Sequence, residues 1–420
     1  FVRDSTVVAL PPLYGEGRGT EADRDNQRIY GVLMKVMFAV PSFWPSQDGV
    51  ANITGYLARG LAERGHEILI FTSAGKSGLQ VLPESETYQG MRIERMRVEM
   101  RWPLKLKGRD EKSCPARYLE QIRKFSPDVL VVVCAQTWTL DWIRPYLDQI
   151  SCSKVFYSHG YSAWKKSYPY WDKLKHRNIV GAYELYRCRK YYKNLYRDLA
   201  KFELALYLSD ESNSYLYAEK YGLTNGEILE NAIDDVFFEE RMQHRFDEES
   251  DGIRYLYVAN YGENKNQEML IRAYAQAEIG KSQLILIGFE ENDYTEYLHE
   301  IMEEETWENG KEVRLLTHLP RQEIIDFYRI CDVFTCSSKS ETWSIVAHEA
   351  AATAMPIIST KVGIYAEMDG VYLVDNETQM RRAMEELYQS GVERRKRGMA
   401  AREWVLNRNC RVKDKVDWLE

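Results

Sequence analysis

Apolar residues along this 420-residue chain fall in short continuous runs rather than strict alternation. Residues 34–40, 67–72, 128–133, 154–158 and 204–209 are such runs in the first half. In the second half they are residues 253–259, 283–287, 313–317, 333–336 and 356–360. Rich in Val, Ile and aromatics, they predict strands covered on both faces, as in a parallel sheet. Between them lie stretches of helical spacing, notably 49–64, 268–277, 322–331, 344–355 and 393–420. Gly65 stops the first of these and Pro356 the fourth. Strand and helix alternating in this way predict an α/β protein of two doubly wound domains. We place the first domain at residues 34–235 and the second at 236–398, with a terminal helix over 399–420 crossing back to the first. Residues 1–33 carry no periodicity and read as a disordered or non-native tail.

One stretch concentrates the chemistry. Residues 333–336 are a strand, 337–340 a polar loop, and a helix opens near Ser344. The first-turn N–H groups of a helix have no partner within it and favour an anion, phosphate above all. Glu341 precedes that helix and Glu349 lies within it. A carboxylate can accept from two neighbouring hydroxyls, so the pair suits two diols with a diphosphate between them, the outline of a nucleotide-sugar. The alternative is that both are ordinary solvated acids. Other strand ends offer candidates too. Gly49 opens a helix after the first strand, where a backbone can approach a ligand. His159 follows the strand at 154–158, and Lys265 precedes the helix at 268–277. Gly288 ends a strand where a nucleotide base could approach the backbone.

Glu-x7-Glu, with this strand before it and an Ala-rich helix after it, resembles the signature of the family 4 retaining glycosyltransferases. Those enzymes have the GT-B fold, two Rossmann-like domains facing across a cleft. Where the family has Gly-Phe-Gly-Leu-Val, this chain has Thr342, Trp343, Ser344, Ile345 and Val346. Asp48 and Gly49 stand where the family places a Gly-Gly pair, and Asn260 where it has an Arg ahead of the Lys. The resemblance spans residues 34–420. It implies a hexose transferred with retention from a UDP- or GDP-sugar to a glycan or lipid-linked acceptor, with no metal required and no other cofactor. It further implies roles for single residues. Glu349 would hold the ribose and Glu341 the hexose. Lys265 and the amides of residues 343–346 would stabilise the diphosphate, and His159 would position the sugar.

Composition narrows the partners. A net charge of −8 argues against nucleic acid as the main business. No apolar run has membrane-spanning length, and no signal peptide is evident. Seven cysteines without CxxC spacing suit free thiols in the cytoplasm. Against the acidic whole, residues 165–201 carry 11 Lys and Arg against 3 acids, interleaved with Trp and Tyr. This region suits peripheral contact with the inner face of an anionic membrane; a solvated helical face is the alternative. Two other functional readings remain. One is a degenerate GT-B partner protein, favoured by the lost glycines and arginine. The other is a nucleotide-sugar epimerase, which would need no acceptor.

Overall fold

The computed structural model describes residues 32–46, 48–74, 82–96, 99–101, 105–107, 114–161, 179–239, 252–307, 310–341 and 343–420. The tail at 1–31, Thr342 and residues 165–178 of the basic stretch lie outside them.

The first sheet starts with β1 (Lys35–Ala39), α1 (Gly49–Glu63) and β2 (Glu67–Ser73), whose strands pair in parallel. The antiparallel hairpin of β3 (Ser85–Tyr88) and β4 (Met91–Met96) extends this edge, with β4 parallel to β2. A separate small hairpin joins β5 (Glu99–Arg101) to β6 (Lys105–Lys107). Then α2 (Cys114–Phe125) leads to β7 (Val129–Val133), and α3 (Trp138–Asp141) to β8 (Ser153–Tyr157). Next, α4 (Ile179–Leu199) leads to β9 (Leu204–Tyr207), and α5 (Asn213–Lys220) to β10 (Gly226–Ile228). The strand order is β10-β9-β8-β7-β1-β2-β4-β3. The sequence pattern did not point to the β3–β4 hairpin. Its residues mix buried and exposed positions, as edge strands do.

The second sheet repeats the design. It comprises β11 (Ile253–Val258), α6 (Gln267–Gln276), β12 (Ser282–Ile287), α7 (Asp293–Glu304) and β13 (Lys311–Leu316) on one side. On the other side are α8 (Arg321–Ile330), β14 (Val333–Cys336), α9 (Ile345–Ala352), β15 (Ile357–Thr360) and β16 (Tyr372–Val374). All six strands are parallel, in the order β13-β12-β11-β14-β15-β16. The chain ends in α10 (Glu377–Gln389), α11 (Gly391–Asn407) and α12 (Val412–Leu419). The continuous apolar runs have the expected cause. Met37, Leu130 and Phe156 point into one core of the first sheet, while Phe38, Ile70 and Val131 point into the other.

The end of the chain is two helices rather than one. Asn409 takes a left-handed φ of 50° and terminates α11. Ile233 then pairs with Cys410 and Val412, at 2.8 and 3.1 Å, and turns the chain onto α1. There Val412 and Val416 join the first domain's core. A Cβ at Gly60 would lie 2.6 Å from Val416 Cγ2, so only glycine lets α1 and α12 approach this closely.

Candidate functional site

In an open parallel sheet ligands collect beyond the strand carboxyl ends where the strand order reverses. Here the reversals fall between β1 and β7, and between β11 and β14. The residues just after these strands are therefore the ones to inspect: Asp48 and Gly49, Cys134, Asn260 to Lys265, and Glu341.

After β11 and β14 two loops are tied together. Lys339 N donates to Asn264 O at 2.7 Å, and Asn264 Nδ2 to Ser340 O at 2.9 Å. This brings Lys265 Nζ to 2.5 Å from Glu341 Oε1. Ser338 Oγ donates to the same Oε1 at 2.6 Å and lies 2.7 Å from the Tyr257 hydroxyl. Both bonds thus fall on Oε1, which leaves Oε2 open to a ligand among the described residues.

Immediately downstream, α9 begins at Ile345 with Ser344 as its extended N-cap, and the Ser344 side chain does not cap its first turn. Ser344 Oγ is instead 2.9 Å from the Tyr365 hydroxyl. The α9 amides remain open to an anion, next to a lysine. The side chains of this segment point elsewhere. Trp343 packs against the cores of both domains, Ile345 against that of the first, and Val346 against that of the second.

The N-terminus of α1 behaves differently. The Asp48 carboxylate accepts from Val50 N and Ala51 N, both at 3.0 Å, and from Ser42 Oγ at 2.5 Å and Ser46 Oγ at 2.9 Å. This helix end therefore already holds its own anion. A Cβ on Gly49 would lie 3.2 Å from Ile345 Cδ1, so Gly49 allows the two domains to meet here.

His159 follows β8, its ring 4.5 Å from that of Tyr157. Its Nε2 is buried and has no hydrogen-bond partner among the described residues. Burial pushes the imidazole down to about 4, against the opposing pull of Asp48, so it is neutral at pH 7. Burial, with Asp48 adding to it, pushes the neighbouring Cys134 thiol up to about 12. Cys134 sits at φ 70° and Gln136 at φ 61°, two non-glycine residues in the left-handed region just after β7. Such strain clusters at functional sites. The sequence reading passed over both residues.

Glu349 lies apart from the Lys265–Glu341 pair and is only 1% exposed. Its Oε1 is ion-paired with Arg321 Nη2 of α8. The same Nη2 donates to the Tyr56 hydroxyl of α1, 2.8 Å away and in the other domain. Burial works to lower the Arg321 pKa, but Glu349 and Tyr56 outweigh it and hold the guanidinium firmly charged. Burial, more than any charge, pushes the Tyr56 phenol up to about 12. Arg321 and Tyr56 were not anticipated, since nothing local in the sequence marks either.

Gly288 and Asn260 have neighbours of their own. Gly288 was expected to admit a nucleotide base, yet a Cβ there would overlap the Tyr261 ring. Tyr261 OH donates to Leu286 O at 2.8 Å, which fixes the ring in place. The close approach of Tyr261 is by itself enough to require glycine at 288. Asn260 is exposed, and its carbonyl accepts from Gln267 Nε2 at 3.1 Å. In the described part of the basic stretch, Tyr183, Tyr186, Lys190, Lys193 and Arg197 form one exposed stripe of α4. Among the described residues no cluster could hold a metal ion, and no helix is long and apolar enough to cross a membrane.

The profile described as "Glycosyl transferases group 1" matches residues 238–404, and that described as "Glycosyltransferase Family 4" matches residues 47–198. The chain belongs to the family 4 type of glycosyltransferases. No curated protein sequence matches it. Among solved structures, this glycosyltransferase is similar to sucrose-phosphate synthase from Thermosynechococcus elongatus. They share 15% identity at a TM-score of 0.68, over 92% of this chain and 97% of that one. It is also similar to Anabaena HepE in complex with UDP and glucose, with 14% identity and a TM-score of 0.65 over 92% and 98%. The trehalose 6-phosphate synthase of Burkholderia multivorans shares 13% identity at a TM-score of 0.65, over 92% and 97%. These likenesses establish the GT-B fold of this glycosyltransferase.

Proposed function

We propose that this protein transfers a hexose, with retention, from a nucleotide-diphosphate sugar to a glycan or lipid-linked acceptor. The observation that carries the proposal is the Lys265–Glu341 pair, 2.5 Å apart, beside the uncapped N-terminus of α9. The donor diphosphate lies on the α9 amides and against Lys265. Glu341 Oε2 takes a hexose hydroxyl. Neutral His159 directs Nε2 at the sugar, and the ribose competes with Arg321 for Glu349. As the bond from the anomeric carbon to the phosphate oxygen breaks, its electron pair leaves with the diphosphate. Lys265 and the helix end stabilise that charge. The acceptor oxygen attacks from the face the phosphate leaves, and its proton passes to the departing phosphate oxygen. No metal takes part.

UDP is the first donor nucleotide to test, because solved structures of similar fold carry UDP and UDP-glucose; GDP is the second. Calorimetry with UDP, GDP, ADP and their sugar conjugates identifies the donor. NMR of the product's anomeric configuration decides retention, and turnover in excess EDTA decides the metal. Absence of binding to every conjugate would overturn the transferase reading in favour of a non-catalytic partner. The exposed Tyr and Lys stripe of α4 supports an acceptor held at an anionic membrane surface.

A further inference from the structure

A cavity of about 110 Å³ lies between the two domains, on the side of α1 that carries Tyr56. Its wall includes Trp44, whose ring stacks on that of Tyr88 with centroids 4.8 Å apart and planes within 7°. Tyr88 covers one face of the indole, yet Trp44 keeps 37% of its surface exposed. The polar wall is made of charges already paired with one another. Arg59 Nη2 lies 2.8 Å from Asp234 Oδ2 in the linker between domains, and Arg321 is bound to Glu349. Ser46 and Gln89 complete the rim with groups that both donate and accept.

An aromatic face beside balanced ion pairs has a distinct preference. The paired charges leave no surplus for a phosphate or carboxylate. An uncharged ring with a C–H face and a hydroxyl rim satisfies both walls: its C–H bonds, polarised by ring oxygens, lie on the negative indole face. Its hydroxyls bridge guanidinium and carboxylate. The cavity has room for one such ring. Arg321 also connects it to Glu349, the residue to which the donor ribose is assigned.

We propose that this cavity binds one uncharged pyranose ring of a saccharide, and that its occupancy alters donor binding through Arg321. The proposal rests on the glycosyltransferase reading only for its second part. A ring that engages Arg321 changes the guanidinium's hold on Glu349, and linkage makes the effect reciprocal.

Saturation-transfer NMR and calorimetry on the full chain test this, with the methyl glycosides of glucose, galactose, mannose and N-acetylglucosamine as probes. Glucose 6-phosphate serves as the charged comparison. At least one glycoside should bind more tightly than glucose 6-phosphate. Trp44→Ala should weaken it about five- to tenfold, the worth of one aromatic contact, while leaving the affinity for UDP alone unchanged. Gly55→Leu provides a second variant by filling the cavity. A Cβ there meets only Phe43, at 3.6 Å, so the helix accommodates it. The UDP dissociation constant should change with saturating glycoside by the same factor as the glycoside constant changes with UDP. Glycoside binding that survives both variants, or its absence in protein that binds UDP normally, would overturn the proposal. If no nucleotide binds but the glycoside does and both variants abolish it, the subsite stands and the transferase reading falls.

Discussion

Arg321 and Glu349 form a buried ion pair within the second domain, and the same guanidinium nitrogen reaches across to Tyr56 in the first. A carboxylate buried this completely needs its cation. Arg321→Ala should cost roughly 3 kcal/mol in urea unfolding, the low end for a broken buried pair because Arg321 keeps some solvent contact. Arg321→Ala combined with Glu349→Gln should recover part of that loss. A single variant as stable as the parent would show that water satisfies Glu349.

Asp48 makes a second, separable point about charge. Because its carboxylate occupies the N-terminus of α1, a donor diphosphate approaching that helix meets a negative charge. Asp48→Asn keeps a capping oxygen and removes the charge, so it should tighten UDP binding by calorimetry with little change in stability. Asp48→Gly, which restores the family's glycine pair, should also tighten binding. It should destabilise by about 1 kcal/mol through loss of the cap. Unchanged UDP binding in both variants would place the diphosphate away from α1.

Two buried histidines contribute to the pH dependence of stability. Burial lowers His159 and His348 to about 4, whereas in the unfolded chain each titrates near its ordinary value of about 6.5. Between these values the unfolded chain binds protons that the folded one does not. Their contribution to stability is therefore full above about pH 7 and falls as the pH drops through 6.5 towards 4, while Asp141, pushed up to about 6 by burial, contributes in the opposite sense below pH 6. His159→Asn should remove about half of that slope, measured as the shift of the urea midpoint between pH 7.5 and 5. An unchanged slope would mean that the His159 ring is solvated.

These contrasts show what the sequence could reveal. Buried parallel strands such as Val129–Val133 and Ser282–Ile287 announce themselves, because both faces must be apolar. Lys265 and Glu341 were each legible as candidates in a loop between a strand and a helix, but their contact with one another was not. Arg321 was not: its partners lie 28 and 265 residues away, and pairing at that range leaves no local pattern. Gly288 is ambiguous for a related reason. A glycine at a strand end reads the same whether a ligand or Tyr261 fills the space. The Asp48 cap was present in the sequence, an Asp just before a helix, but comparison with a glycine pair drew attention to what was missing instead.

Gly288→Ala separates these two readings. If the glycine serves Tyr261, the added methyl displaces the ring and should destabilise the second domain by about 1–3 kcal/mol. Nucleotide affinity in the remaining folded protein should stay close to the parent's. Parental stability with lost nucleotide binding would return Gly288 to the ligand.

Lys265 and Glu341 should part company under mutation even though they touch. Lys265→Ala removes a cation from the diphosphate and leaves Glu341 with only Ser338. Loss of a charge-assisted bond of roughly 1.5–3 kcal/mol predicts about ten- to a hundredfold weaker UDP binding. Glu341→Gln keeps the contact geometry but frees Lys265 of its counter-ion. UDP itself should then bind as well as before or better, whereas the hexose of the UDP-sugar loses its carboxylate acceptor. The ratio of UDP-sugar to UDP affinity should accordingly fall in Glu341→Gln and stay constant in Lys265→Ala. Calorimetry of both ligands against both variants measures that ratio directly. A constant ratio in Glu341→Gln would remove the hexose from Glu341 and leave that carboxylate only the task of holding Lys265.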